Sequence, residues 1–566
     1  MQTAKTIKHQ SKNKLGMIKR TMKTTVQFDD WRWFFVTASV ILGLTFIPIY
    51  VGYLAQTPAQ NFAGVVYDRQ DFEVHKATMV QGAQGHLTYR FMFSTEQGSE
   101  IAVKGFYLLL GRITGAMRLE PTFAYHAARL LFGLLALVMI FRFLTAVFPE
   151  NPARRASFLL AATGSGFGWI MLVFNWQPTA QISPIDFWLI DLYEFFSLVT
   201  FPHFSAVIIL ILIIIMAFDH FLTDRRLVHW ILAATASLVL IAFHPFSIII
   251  ADLAVAGVAL GHWRANRRLD RGIVISGLLL LMIQLPLIIY NDLAFSSDQY
   301  WEQFRVQMVL LSPPPVYYLL GLGVLGPLAV LGIRHVWIER DRLGIMAATW
   351  VVGVFGLVYM PTLLQRRFTA HLTIPLALLA VMGVRSLFLQ IPDDQTEQAG
   401  PSLRKWIFPL LVGLALPSSM YLIAAGSAYV IQRPEELFDP ATVIEAVDWL
   451  GEHADIDQAV LSSPRTGLII PGRTGLRVYI GHQMETLYYN QKANKVNLFF
   501  NKEGMSTQER QAFLETCGCS WIIHGPFERA ENGGLQLQAL TELHLAFENE
   551  EVQIFRVDLS SGDGGP

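Results

Sequence analysis

Charged residues are scarce in this chain, at 15% of 566, and cysteine is nearly absent, with two. Against that scarcity stand 53% hydrophobic residues and a mean hydropathy of +0.41, far more apolar than an average soluble domain. The balance indicates an integral membrane protein. A formal charge of -1 leaves no global basic field, which excludes nucleic acid as a partner. The two cysteines form a lone C-x-C, Cys517 and Cys519, and a zinc site would need further ligands that the sequence does not place. No G-x-G-x-x-G or P-loop string accompanies the alternating pattern near the carboxyl end, so no nucleotide site is assigned there. A repeat of solenoid period is also missing.

What is present is a series of apolar runs. The first, 34–54, is long enough to cross a hydrocarbon core of ~30 Å at ~1.5 Å per helical residue, and it lacks the small-residue cleavage site of a removed signal peptide. Lys5, Lys8, Lys12, Lys14, Lys19, Arg20 and Lys23 all precede the first acid, Asp29, so the leader 1–33 is expected in the cytoplasm. Further candidate spans are 123–148, 158–174, 204–222, 230–243, 246–260, 273–290, 316–333, 343–359, 372–388 and 407–430. The fold class expected is therefore a polytopic α-helical membrane domain, 34–430, with about eleven crossings, two of them a short hairpin around His244 and Pro245. Arginines recur in alternate loops, at Arg154, Arg225, Arg264, Arg334 and Arg404, all on the cytoplasmic side, as the positive-inside rule requires. That pattern places a large first loop, 56–121, a second loop, 175–202, and everything after Val430 outside.

Within the first loop, 101–117 is a moderately apolar helical run, broken by Lys104 and Arg112, that is expected to lie along the membrane interface. Segment 431–558 turns soluble. Amphipathic patterns at 441–452 and 507–516 alternate with β-type runs at 459–462, 477–480 and 521–524, and a hairpin pattern joins 544–547 to 552–557. A small α/β layer domain is expected, followed by a disordered tail, 559–566. The string 464–486, rich in Gly and Thr, reads as loops at strand ends, with His482 and Glu485 on one side of a helix start.

Chemistry is concentrated in the loops. Residues 67–85 read Y-D-R-Q-D-F-E-V-H-K-A-T-M-V-Q-G-A-Q-G, with three carboxylates, Asp68, Asp71 and Glu73, just beyond a span. A carboxylate can take a proton from an attacking hydroxyl, or hold a divalent cation through oxygen; ordinary surface acids are the plainer alternative. The second loop holds Asp186, Asp191 and Glu194 without Lys or Arg, and Glu194 and His203 stand just before the next span. His203 as a capping or interfacial histidine, and His244 as a turn histidine beside a helix-breaking proline, are the bland options. Q-R-R-F at 365–368 violates the positive-inside pattern, since two arginines fall at the outer end of a span. Guanidinium forks at that depth suit a lipid-linked phosphate, with snorkelling to headgroups as the alternative.

The first loop resembles that of GT-C glycosyltransferases, polytopic enzymes that take sugars from polyprenyl-phosphate carriers and include the protein mannosyltransferase and aminoarabinose transferase branches. Their loop carries an essential Asp, often followed four residues later by an aromatic and then by a helix ending near Gly. The resemblance sets that Asp at Asp71, with Asp68 as the alternative register, His75 in the aromatic position, and Gly82 or Gly85 at the end. Phe72 stands where a second acid often follows, and Glu73 is the nearest substitute. The resemblance implies an inverting transfer from a polyprenyl-phosphate sugar to an extracytoplasmic glycan, lipid or protein. Arg366 and Arg367 would hold the phosphate, and Glu194, His203, His244 and His75 would line the substrate. A divalent cation is an open possibility, with Asp71 and Glu194 as its ligands; no metal is assigned. It also implies a plasma-membrane location and a carboxyl-terminal domain that shapes acceptor access or acts as a lid, not as catalyst. Two rival readings stay open: a transporter or flippase of a lipid-linked saccharide, and a non-catalytic envelope scaffold.

Overall fold

The computed structural model describes residues 28–175, 184–268, 270–389, 400–530, 537, 540 and 542–558. The basic leader up to residue 27, part of the second loop (176–183) and the tail 559–566 lie outside the described residues. The protein is a multi-pass helical membrane protein with a small sheet domain near its carboxyl end. Among the described residues, six helices are long and apolar enough to cross a membrane: Phe28–Ala55, Pro121–Val147, Pro202–Asp224, Ser247–Asn266, Arg271–Ala294 and Lys405–Ile431. Leu227–Phe243, Arg342–Leu357 and Thr373–Leu387 are shorter apolar helices.

Two expected spans are broken rather than continuous. The run 316–333 forms Pro315–Leu322 and Leu325–Glu339, bent by 87° at Gly323, whose φ of +51° favours glycine. The run 158–174 divides into Asn151–Thr163 and Gly168–Val173 around Gly164 and Gly166. The backbone groups freed at these breaks find partners inside the protein, as groups cut off from water must. Ser165 donates its N–H and its hydroxyl to the Ala415 carbonyl, both at 2.7 Å; Gly168 N–H reaches Asp186 Oδ2 at 3.0 Å, and Tyr193 Oη donates to the Gly321 carbonyl at 2.7 Å. A Cβ on Gly166 would collide with the Gly321 carbonyl, so the broken spans pack through bare backbone.

The chain divides into two compact units. One holds residues up to Phe46, Arg129–Ile288 and Leu310–Ala424; the other holds Ile47–Ala128, Ile289–Val309 and the chain from Ala425 onward. The second contains both sheets. Strand β1 (Gln60–Phe62) pairs antiparallel with β2 (Phe438–Pro440). Strand β3 (Ala459–Leu461) lies between parallel partners β4 (Arg477–Val478) and β5 (Trp521–His524), and β6 (Leu543–Glu548) and β7 (Gln553–Val557) complete the order β4-β3-β5-β7-β6 as an antiparallel hairpin joined to β5. Alternate residues serve opposite faces. Val460, Ile523 and Ile554 pack with Val443, Val447 and Leu450 of helix Ala441–His453; Leu461, Ile522 and Phe555 pack with Phe499, Phe513 and Leu514.

The first of these cores also takes in Val74, Ala77, Met92 and Phe93, so the first loop folds as part of the sheet domain. Its three acids do not precede a helix but begin one. Asp68 is the N-cap of helix Arg69–Ala83, its carboxylate accepting from the Asp71 N–H at 3.4 Å, and Asp71 sits in the first turn, where negative charge suits the helix dipole. The helix ends between Gly82 and Gly85, as expected, and Gly82 in its last turn also allows close approach. A Cβ there would fall on the Leu108 carbonyl of helix Gly105–Met117, and a Cβ on Gly111 would fall on the Met79 carbonyl. The opposite face of Gly105–Met117 exposes Leu109, Ile113 and Met117 in one stripe.

The first part of the Gly- and Thr-rich string 464–486 departs from its expected loop structure, while the part after β4 is loop. Pro464–Thr474 is a helix, capped by the Ser463 side chain, with proline at its start and Gly475 at φ +77° past its end. Gly467 is needed because a side chain there would collide with the Ile480 carbonyl. If close backbone approach holds these helices together, Gly111→Ala should lower unfolding free energy by about 1–3 kcal/mol, as overpacking does. Gly43→Ala, in a helix with nothing within 4 Å of the added methyl, should leave thermal unfolding in detergent unchanged or slightly improved.

Candidate functional site

In the unit that holds the sheets, the helix Arg69–Ala83 sorts the three acids by environment. Glu73 is 2% exposed and lies 3.0 Å from Lys76 Nζ and 4.0 Å from Arg69 Nε. Arg69 also pairs with Asp439 and donates to the Glu436 carbonyl at 2.7 Å. This is a buried ion network that pins the helix to the segment around β2. Asp68 is exposed and spends its carboxylate on the helix cap. Asp71, with 39% of its side chain exposed, faces His482, whose Nε2 lies 3.3 Å from Asp71 Oδ1. His75 is half-buried and stacks on Tyr107, with ring centroids 3.9 Å apart. Phe72, in the position where the family pattern often has an acid, is fully buried against Tyr125.

In the other unit, a second polar cluster forms where short helices meet. Glu194 opens the helix Glu194–Thr200 and is 1% exposed; its carboxylate pairs with Nδ1 of His371, which is 0% exposed and holds a φ of +60°. That strained backbone is stabilised by its own hydrogen bond, His371 N–H to the Asp191 carbonyl at 2.8 Å. Thr373 Oγ1 accepts from the Glu194 N–H at 3.4 Å and donates to the Leu192 carbonyl at 3.2 Å, closing the junction.

The arginine pair lies on a 3-10 turn, Gln365–Thr369. Arg367 Nη1 is 3.7 Å from Asp191 Oδ2, beyond ordinary hydrogen-bond length, and is 26% exposed. Arg366 lies over the Trp188 ring at 5.7 Å, and its N–H donates to the Leu310 carbonyl. Burial pushes the Asp191 carboxyl up from its ordinary value, opposed by Arg367, Arg366 and His371. His244 is driven down to about 3 by burial, with the charges of Arg367 and His371 adding to the effect, so its ring is neutral near pH 7. Its Nδ1 shares a hydrogen bond with Ser247 Oγ at 2.8 Å, and His203 stacks near it at 5.9 Å.

The structure thus gathers Arg367, Glu194, His203 and His244 of the expected residues around Asp191, noted in the sequence only as an acid of the second loop, and His371, which sequence reasoning left out. His371 stands four residues past Arg367 and just before a span, in the same position that drew attention to His203. Asp71, Asp68, Glu73 and His75 share one helix in the other unit. Among the described residues, no three His, Cys, Asp or Glu side chains are arranged to hold a metal ion.

No family model matches the chain, and no curated protein does. Solved structures do. The apo oligosaccharyltransferase of Archaeoglobus fulgidus aligns over 88% of this chain and 70% of its own, with 12% identity and a TM-score of 0.54. ArnT from Cupriavidus metallidurans bound to undecaprenyl phosphate aligns over 95% of this chain and 100% of its own, at 12% identity and a TM-score of 0.48. The arabinosyltransferase EmbB from Mycobacterium smegmatis covers 72% of this chain and 41% of its own, at 12% identity and a TM-score of 0.37. The chain therefore shares the fold of the apo oligosaccharyltransferase over the aligned length. A five-stranded sheet lies near this chain's carboxyl end.

Because Glu194 and His371 are both buried, replacing one partner should cost more than replacing both. His371→Leu should lower unfolding free energy by about 3–5 kcal/mol. The Glu194→Gln, His371→Leu double variant should recover part of that loss, read by thermal unfolding in detergent.

Proposed function

We propose that this protein is a membrane glycosyltransferase that moves a sugar from a polyprenyl-phosphate donor to an extracytoplasmic acceptor, with its amino end in the cytoplasm. The observation that carries the reading is the sorting of the first-loop acids. Glu73 is consumed by ion pairs and Asp68 by a helix cap, whereas Asp71 is half-exposed beside an imidazole. The fold shared with the oligosaccharyltransferase supports the class of protein, although a fold alone fixes no reaction.

In the proposed chemistry, Asp71 takes the proton of an acceptor hydroxyl as that oxygen attacks the anomeric carbon. The bond from that carbon to the phosphate oxygen breaks, the electron pair leaves on the phosphate, and a single displacement inverts the carbon. In the other unit, Arg366 and Arg367 are the groups with the chemistry to bind a carrier phosphate. Neutral His244 offers the phosphate a hydrogen bond without adding charge. Glu194, already paired with His371, holds the cluster's shape, with His203 at its edge. His75, half-buried and backed by the buried Tyr107 ring, is proposed to line the substrate. The broken spans favour a transporter, since such helices often bind substrate; here their freed groups are closed by Ala415, Asp186 and Gly321.

Transfer from a panel of polyprenyl-phosphate sugars, followed in proteoliposomes, tests the reading. Asp71→Asn should lower turnover by about 100-fold or more, the scale of general-base catalysis. Asp68→Asn, which keeps a capping side chain, should stay within about threefold. Arg366→Ala and Arg367→Ala should each weaken donor use about tenfold. Transfer unchanged in both Asp variants would sink the mechanism, and movement of carrier across the bilayer without transfer would favour the flippase.

A further inference from the structure

The sheet domain was expected to shape acceptor access and take no part in catalysis. Its contact with the first-loop acid points elsewhere. His482 follows β4 in a tight turn, and its Nδ1 accepts the N–H groups of both Met484 and Glu485 at 3.1 Å. An imidazole whose Nδ1 lone pair is occupied this way carries its proton on Nε2 when neutral. That nitrogen faces Asp71 Oδ1 at 3.3 Å, and the ring itself is only 5% exposed.

The turn has little freedom to move. Gly481 N–H donates to Thr486 Oγ1 at 3.1 Å, and Leu487 N–H reaches Ser94 Oγ at 3.3 Å. Gln307 donates its amide to the carbonyls of Met484 and Thr486 at 2.8 and 3.1 Å. Glu485 accepts from Tyr89 Oη and Lys104 Nζ, each at 2.7 Å. Two other stretches of the same compact unit therefore converge on the turn that aims His482.

We propose that His482 is a positioning residue for Asp71: its Nε2–H holds Oδ1, fixes the direction of the carboxylate and favours the ionised, basic form. The inference rests on the reading of Asp71 as the general base. It makes the sheet domain part of the proton-transfer apparatus.

Two substitutions separate the turn from the aim. Asn at this position keeps an acceptor for the Met484 and Glu485 N–H groups but has no donor at the Nε2 position; Gln reaches the Nε2 position with a donor. The full chain in lipid nanodiscs is treated with a water-soluble carbodiimide and an amine, and labelling of Asp71 is followed by peptide mass mapping. His482→Asn should raise Asp71 labelling several-fold, because the reagent attacks the protonated carboxyl, while Asp68 labelling and the melting temperature stay unchanged. In the transfer assay, His482→Asn should lower kcat about 10- to 100-fold at unchanged donor KM, the range of one hydrogen bond to a charged group, and His482→Gln should recover most of it. Should Asn lower the melting temperature, Gln is compared with Leu, since both lack the turn acceptor and they differ in the donor. Equal Asp71 labelling with and without the donor overturns the proposal, as does wild-type turnover in His482→Asn. A labelling difference in a protein that transfers no sugar supports the pairing and counts against the glycosyltransferase reading alone.

Discussion

A helix that buries an arginine, a glutamate and a lysine must have each charge paired, because an unpaired buried ion costs several kcal/mol. Helix Arg69–Ala83 meets that constraint with Arg69 on Asp439 and Glu73 on Lys76, and the Arg69–Asp439 pair fixes the rotation of the helix about its axis. Once the rotation is fixed, the remaining acids have no choice of face. Asp68 is left at the cap and Asp71 at the partly exposed edge beside His482. Gly82 and Gly111 then set the closeness of the neighbouring helix, and Gly472 lets Glu73 and Lys76 approach the helix Pro464–Thr474. The candidate base is thus placed by residues that would take no part in the chemistry.

The other unit solves a different problem with similar means. Spans interrupted by glycine release backbone groups that cannot be left bare in an apolar setting. They are satisfied by side chains such as Asp186 and by neighbouring carbonyls, and the same junction carries the buried Glu194–His371 pair. Around it, Arg366 and Arg367 keep their charge partly exposed, with Asp191 as a loose neighbour. An anion could approach them without a strong ion pair being dismantled at Arg367, which suits a phosphate that must bind and then leave.

Much of the architecture was legible in the sequence because membrane spans and amphipathic strands write their periods directly into the order of residues. The segments around Trp521–His524 and the closing hairpin emerge close to their expected bounds for that reason. The failures share one cause. Glycines in 158–174, 316–333 and 464–486 have two opposite uses, breaking a helix or letting one pack closely, and local sequence does not tell them apart. Gly323 breaks a span, while Gly467 sits inside a helix because another backbone passes within reach. Long-range pairing was hidden for a related reason. His371 and His482 carry no local motif, and their meaning comes from Glu194, 177 positions away, and from Asp71, on a helix near the opposite end of the chain.

Acid residues and arginines can share a protein for structural reasons alone, so the central claim turns on where a carrier phosphate binds. A structure of the full chain in a lipid bilayer mimic with polyprenyl phosphate bound would decide it. The account predicts phosphate oxygens within hydrogen-bond distance of the guanidinium groups of both Arg366 and Arg367. A phosphate held elsewhere on the protein, with neither arginine in contact, would contradict it.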